Sequence, residues 1–271
     1  MSREVNQELL DTIVKLADEA GDILLEFYGR SDLKQETKDN DTPVTEADIA
    51  ASHYLIEALE KLTPEWPVLS EEAADIDWAI RKAWQSYWLI DPLDGTKEFI
   101  SKTDEFTVNI ALIIDHHPVL GVVGVPAKSL MYSALNGGQA MKRDGEAWTR
   151  IHCMPARKPF DVLTSRRAHS RRLLGYLDRL EDIHRHYAGS ALKMCYIAEG
   201  KGDLYPKFGP TSEWDTAAAQ CILEAAGGRI TDLAGEPLAY NTKDGLLNPR
   251  FLAWGDPNFD PLSYLPEDQQ A

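Results

Sequence analysis

Cysteine is scarce in this chain: Cys153, Cys195 and Cys221 are odd in number and not in metal-ligand spacing. That argues against a disulfide framework or a cysteine-held zinc ion and points to a reducing compartment. Positive charge is short too. Against 44 Asp and Glu stand 28 Lys and Arg, a formal net charge of -16, so binding to nucleic acid or to an anionic membrane lacks its electrostatic drive. No apolar stretch approaches the roughly 20 residues of a membrane span. Met1 to Asn6 shows neither the basic nor the apolar region of a signal peptide, so the expected location is the cytoplasm, with peripheral association with the inner membrane and the oligomeric state left open. The chain also has no G-x-G-x-x-G, G-x-x-x-x-G-K-S/T, G-x-S-x-G or H-E-x-x-H, which removes the usual support for dehydrogenase, kinase, esterase and zinc-protease readings. There is no internal repeat and no low-complexity tract.

What is present is a globular composition, 44% hydrophobic and 27% charged over 271 residues, enough for one large domain or two modest ones. The organising stretch is Trp88-Leu89-Ile90-Asp91-Pro92-Leu93-Asp94-Gly95-Thr96. Tyr87 to Ile90 reads as the end of a buried strand. Pro92 cannot extend a ladder and Gly95 permits backbone angles that other residues avoid, so a turn is expected here. Such a turn can aim Asp91, Asp94 and the Leu93 carbonyl at one point. Two carboxylates about 4 Å apart repel by roughly 4 kcal/mol at an effective dielectric near 20, so the cluster calls for a proton or a cation. Oxygen-only ligation suits Mg²⁺. Asp-Pro-x-Asp-Gly is also ordinary turn chemistry, and this stretch alone leaves both readings open.

Val5 to Tyr28 carries apolar residues at helical spacing, with Gly29 as its expected stop. Ser31 to Thr42 is polar and reads as a mobile hairpin or loop. Thr45 followed by Asp48 resembles a capping box opening the next helix, and an acid there is favoured by the helix dipole. Pro67-Val68-Leu69 leads as a strand end into Glu71-Glu72. Lys97 to Ile100 reads as a short helix whose first amides could receive phosphate. Three consecutive strands from Thr107 to Ala134 with tight connections predict an antiparallel sheet. Prolines between Cys153 and Phe160 mark the expected boundary between a first domain, 1–155, and a second, 156–271, where strands alternate with helices. There, Arg166, Arg167, His169, Arg171 and Arg172 are expected at the start of a helix running to Leu180, as a solvated face or a second anion site. Ser190 is expected to cap a short helix, and Trp214-Asp215-Thr216 to open another. His184 and His186, two apart in a charged segment, are expected to face solvent rather than bind metal.

The central stretch, joined to Trp214-Asp215 and preceded by Glu71-Glu72, resembles the inositol monophosphatase superfamily of metal-dependent phosphatases. Within it the likeness is nearer to the bacterial 3'(2'),5'-bisphosphate nucleotidases, carried by Thr42 to Asp48, by Asp94 to Phe99, and by Gly189-Ser190-Ala191-Leu192-Lys193 through Glu199 to Asp215. The resemblance implies an α+β and α/β fold, a layered α-β-α-β-α sandwich of the sugar-phosphatase type with an antiparallel sheet in the first half and a mixed one in the second. It implies that Glu71, Asp91, Asp94, Asp215 and the Leu93 carbonyl hold two or three Mg²⁺ ions. Asp48 and Thr96 would deprotonate the attacking water, with Glu71 the third catalytic residue. Gly95 and Thr96 amides would take the phosphate, and Ser190, Lys193, Glu199 and Asp215 would face the rest of the substrate. Lys38 would lie on a loop over the site. Ala191 departs from relatives that carry a second Ser.

The activity implied is Mg²⁺-dependent hydrolysis of the 3'-phosphate of adenosine 3',5'-bisphosphate, and of its sulfated form, in sulfur metabolism, with inhibition by Li⁺ and Ca²⁺. Inositol monophosphatase is the alternative enzyme, and a nucleotide sensor without turnover the alternative class. A sensor has no need of the Asp48–Thr96 pair.

Overall fold

A computed structural model of the chain describes residues 4–30, 35–37 and 43–266. The first half runs α1 (Gln7–Tyr28), β1 (Gln35–Thr37), β2 (Pro43–Thr45), α2 (Glu46–Leu62), β3 (Val68–Ser70), α3 (Trp78–Arg81), β4 (Ser86–Asp94), α4 (Thr96–Ile100), β5 (Thr107–Ile114), β6 (His117–Val125), β7 (Leu130–Leu135), β8 (Met141–Asp144) and β9 (Ala147–Arg150). The second half runs β10 (Phe160–Thr164), α5 (Arg171–Leu180), β11 (Ile183–Tyr187), α6 (Leu192–Ala198), β12 (Leu204–Lys207), α7 (Ala217–Ala225), β13 (Arg229–Asp232) and β14 (Phe251–Trp254).

Strands β3 to β9 lie side by side in sequence order as one seven-stranded sheet. The expectation of an antiparallel first half needs one correction: β3 runs parallel to β4, the crossover being long enough to hold α3. The second sheet has the order β11-β10-β12-β14-β13 and is mixed, β10 parallel to both neighbours and β14 antiparallel to both of its own.

The apolar runs of β4 and β5 show no alternation because both faces of their sheet are covered. Trp88, Ile90, Val108, Ile110 and Leu112 pack under α1 and α2, against Leu9, Ile13, Leu24, Leu55 and Leu59. Tyr87, Leu89, Ala111 and Ile113 face the opposite way, onto α6 and α7, and that same cluster continues into Tyr205, Ile230, Phe251 and Ala253 of the second sheet. Beyond the second sheet, Phe160, Val162, Leu204 and Leu252 pack on α5 through Leu173, Tyr176 and Leu177. The layers are therefore helix, sheet, helix, sheet, helix. The central apolar cluster draws on both halves of the chain, so residues near 155 mark a change of sheet within a shared core. Close approach is built in at Gly121 of β6, where an added Cβ would overlap the carbonyl of Ala218 in α7. Among the described residues no helix is long and apolar enough to cross a membrane.

Gly29 ends α1 as expected, as its C-cap with a right-handed φ of -79°. Two local expectations are corrected. The Arg-rich helix does not start at Arg166: Ser170 Oγ accepts from Leu173 N at 3.2 Å and caps α5, a hydroxyl outcompeting the preceding residues as N-cap. Ser190 does not cap α6. Its φ is 49°, and its hydroxyl faces the carbonyls of Asp94 and Glu105 at 2.9 and 2.7 Å.

Candidate active site

The acids converge because of how β4 ends. A turn at Pro92 is not what forms. The strand continues to Asp94, but its register against β5 slips: Asp91 faces Asn109 and Asp94 faces Thr107, so Pro92 and Leu93 together oppose Val108. This bulge leaves Pro92 where no ladder donor is required and re-aims the flanking side chains. Asp91 Oδ1 accepts from Leu93 N at 3.1 Å, which fixes the bulge from within. Gly95 follows at φ 92°, and a Cβ there would overlap Ser190 Oγ, so only glycine fits between β4 and the second half.

Parallel pairing of β3 with β4, with Ser70 opposite Ile90, brings Glu71 alongside Asp91. Asp215 arrives from across the molecule, in the short turn Glu213–Asp215 before α7, held by a reciprocal capping box in which Asp215 Oδ2 accepts from Ser212 N at 3.0 Å. Glu71, Asp91 and Asp215 each offer an oxygen within 4.8 Å of the others. Leu93, Asp94, Gly95, Thr96, Lys97 and Glu98 complete the wall of the same cavity of about 170 Å³. Asp94 Oδ2 is pinned by Ala191 N at 2.7 Å, Asn109 Nδ2 at 3.2 Å and Thr107 Oγ1 at 3.3 Å.

Crowding like charges in a buried place is costly, and it raises the carboxyl groups. Burial, then Glu71, Asp94 and Asp215, push Asp91 well above the usual carboxylate range. Burial, then Asp94 and Glu71, push Asp215 up to about 8. Asp94 is raised by burial to about 6, Lys193 and its hydrogen bonds holding it back. An all-oxygen, multiply anionic pocket of this kind fits hard divalent cations of the Mg²⁺ type.

Asp48 does two jobs. Its Oδ2 accepts from Thr45 N at 2.8 Å and Thr45 Oγ1 at 2.6 Å, closing the capping box of α2. Its other oxygen, Oδ1, takes the hydroxyl of Thr96 at 3.1 Å, on the cavity wall.

A second cavity of about 290 Å³ adjoins the first, sharing Asp94, Gly95, Lys97, Glu98 and Asp215, and is lined further by Ser190, Lys193, Lys207, Arg166 and Arg167. Its arginines come with carboxylates. Arg166 forms a two-pronged pair with Glu105, whose Oε2 also accepts from Gly189 N at 2.9 Å. Arg167 stands 3.7 Å from Glu98. Burial lowers Lys193 to about 8 although Asp94 opposes the shift, and its ammonium donates to Ser190 O at 2.6 Å.

Of the residues singled out in the sequence, Glu71, Asp91, Leu93, Asp94, Gly95, Thr96, Ser190, Lys193 and Asp215 line these two cavities, with Asp48 behind Thr96. Glu199 is not brought there: its carboxylate is taken by Lys142 at 2.6 Å, Tyr132 at 3.1 Å and Lys201 at 3.1 Å, at the end of α6. Lys38 lies outside the described residues. Glu105 and Lys207 carry no local signal. Thr107 and Asn109 do, as polar residues two apart in an otherwise apolar strand and so on one face.

The profile of the inositol monophosphatase family matches residues 5–256. The 3'(2'),5'-bisphosphate nucleotidase CysQ of Escherichia coli K12 is 45% identical over 244 residues, which cover 90% of this chain and 98% of that protein. The CysQ of Salmonella typhimurium is 46% identical over the same share of both chains. Among solved structures, CysQ from Bacteroides thetaiotaomicron superposes with a TM-score of 0.81 at 36% identity, covering 93% of this chain and 98% of that one.

Proposed function

The chain belongs to the inositol monophosphatase family, and from that premise we propose that it is a Mg²⁺-dependent 3'(2'),5'-bisphosphate nucleotidase. It hydrolyses the 3'-phosphate of adenosine 3',5'-bisphosphate to AMP and inorganic phosphate, and accepts the sulfated form of the same nucleotide. The observation that carries this reading is the meeting of Glu71, Asp91 and Asp215 beside Asp94 and the Asp48–Thr96 pair. Two or three Mg²⁺ ions held by Glu71, Asp91, Asp94, Asp215 and the Leu93 carbonyl would supply Lewis acidity, making water nucleophilic near neutral pH and offsetting charge on the phosphate. The Thr96 hydroxyl, donating to Asp48, keeps its lone pairs for a proton of the attacking water. As the water oxygen bonds to phosphorus, that proton passes to Thr96 Oγ1 while the Thr96 proton passes to Asp48, and the ribose oxygen departs to be protonated by solvent. Gly95 and Thr96 amides face the phosphate. Ser190, Lys193, Arg166 and Arg167 line the space for the remaining, still anionic, part of the nucleotide. The three cysteines are free thiols, in keeping with a cytoplasmic protein.

The test is phosphate release in defined Mg²⁺ from adenosine 3',5'-bisphosphate beside inositol 1-phosphate. Preference for the bisphosphate is expected. Preference for the inositol ester would replace the narrower reading, and no release from either would favour a sensor. Millimolar Li⁺ and Ca²⁺ are expected to inhibit, Ca²⁺ because it is larger and takes more ligands than an octahedral Mg²⁺ site offers. Activity unchanged by both would count against the metal assignment.

A further inference from the structure

Among the described residues a second set of metal-ligating side chains converges away from the acidic cavity: Asp161, His184 and His186. Sequence alone gave the two histidines no partner, and the second sheet supplies one. Edge strand β11 runs parallel to β10 with His184 opposite Asp161 and His186 opposite Leu163. Residues two apart on a strand share a face, so both imidazoles stand on the side of the Asp161 carboxylate. Arg185, between them, faces the other way and is engaged by Thr164 Oγ1 at 2.8 Å and Ala168 O at 2.5 Å, which keeps its charge out of the group.

The distances are close to those an ion requires. With bonds of about 2.0–2.1 Å, a tetrahedral ion holds its ligand atoms roughly 3.3 Å apart. His184 Nδ1 stands 3.5 Å from Asp161 Oδ1, and His186 Nε2 stands 2.7 Å from the same oxygen. The second separation has to open by about half an ångström as an ion replaces the hydrogen bond. The imidazole planes are at 82°, with centroids 6.4 Å apart, so the rings approach without stacking. Asp161 is held from behind: its N–H donates to Asp203 Oδ2 at 2.8 Å and its carbonyl accepts from Asp203 N at 2.8 Å. Side-chain exposures of 64%, 50% and 44% for His184, His186 and Asp161 leave a side open for a water ligand.

We propose that Asp161, His184 and His186 form a second metal site that takes one borderline transition-metal ion, Zn²⁺ foremost, through two imidazole nitrogens and a carboxylate oxygen. Its donor set separates it from the acidic cavity, since imidazole suits Zn²⁺, Ni²⁺ and Cu²⁺ whereas the all-oxygen pocket suits Mg²⁺. A bound ion would tie together the two strands whose carboxyl ends lead to Arg166 and Arg167 and to Gly189 and Ser190.

The test is Zn²⁺ titration calorimetry of the whole protein in millimolar Mg²⁺, comparing wild type with the double variant His184→Asn/His186→Asn. Wild type should bind one more equivalent of Zn²⁺ than the double variant, and His186→Asn alone should weaken that equivalent by on the order of 10²-fold. Mg²⁺-dependent phosphate release should be unchanged in both. Equal stoichiometry and affinity in wild type and double variant would overturn the proposal. Should the substitutions disturb the fold, Co²⁺ added to wild type gives an independent reading: the ring protons of His184 and His186 must shift paramagnetically with the first equivalents, and their failure to move would be equally decisive against the site.

Discussion

The two adjoining cavities of the candidate active site are built on different electrostatic plans. In the smaller, carboxylates meet carboxylates, and Asp91 and Asp215 are driven well above their ordinary range by burial and by Glu71 and Asp94 beside them. In the larger, the two arginines have resident acids, Arg166 with Glu105 and Arg167 near Glu98. The first, on the proposed function, is where cations would offset the crowded negative charge. In the second, an incoming anion would have to compete with the carboxylates that hold the guanidiniums in place.

The comparison can be broken most severely on the acidic side. Asp94→Asn removes a cavity carboxylate and keeps its shape; phosphate release should fall by on the order of 10³-fold, with an unchanged circular dichroism spectrum. Thr96→Val should lower kcat by roughly 10²-fold through loss of the proton path, while Thr96→Ser keeps most of it. On the basic side the effect should be smaller and of another kind. Arg166→Ala should raise KM for adenosine 3',5'-bisphosphate about tenfold, as loss of a charge-assisted contact does, with kcat little changed. A fall in kcat without a rise in KM would assign Arg166 to the chemistry and erase the contrast.

The smallest effect is on stability. Asp94 and Asp215 have folded-state values raised to about 6 and about 8, above the unfolded value near 3.9. A raised acid contributes stability that is fully present below the unfolded value and is lost as pH rises through the folded one. Metal-stripped protein should therefore melt several degrees lower at pH 8.5 than at pH 5.5, and added Mg²⁺ should flatten that slope. A slope that Mg²⁺ leaves untouched would mean the acids are not where the ions bind.

Much of this was readable from the chain because the signals were local. Apolar runs broken by Gly and Pro place the strands, and Thr45 with Asp48 announces a helix start that the structure also uses to hold Thr96. Where a residue answers to distant partners, sequence rules misled. Pro92 looks like a turn, but the sheet absorbs it in a bulge because its neighbours continue to pair with Thr107 and Asn109. Ser190 looks like a cap, yet carbonyls from β4 and from Glu105 claim its hydroxyl. The family resemblance implies a substrate contact for Glu199, and lysines at 142 and 201 draw it elsewhere. Glu105 was silent, since nothing near it in the chain foretells that Arg166 and the amide of Gly189 will meet there.

The notch at Gly121 has a consequence for how the protein is made. Were the broad sheet to form from the first 155 residues before the rest leaves the ribosome, it would have helices on only one side, and its other face, with Tyr87, Leu89, Ala111 and Ile113 upon it, would stay wet. That face would be sealed when α6 and α7 emerge, with Ala218 settling into the space the missing side chain leaves. A truncated product ending at the midpoint would present a sticky, unfinished slab, a ready target for chaperones and proteases.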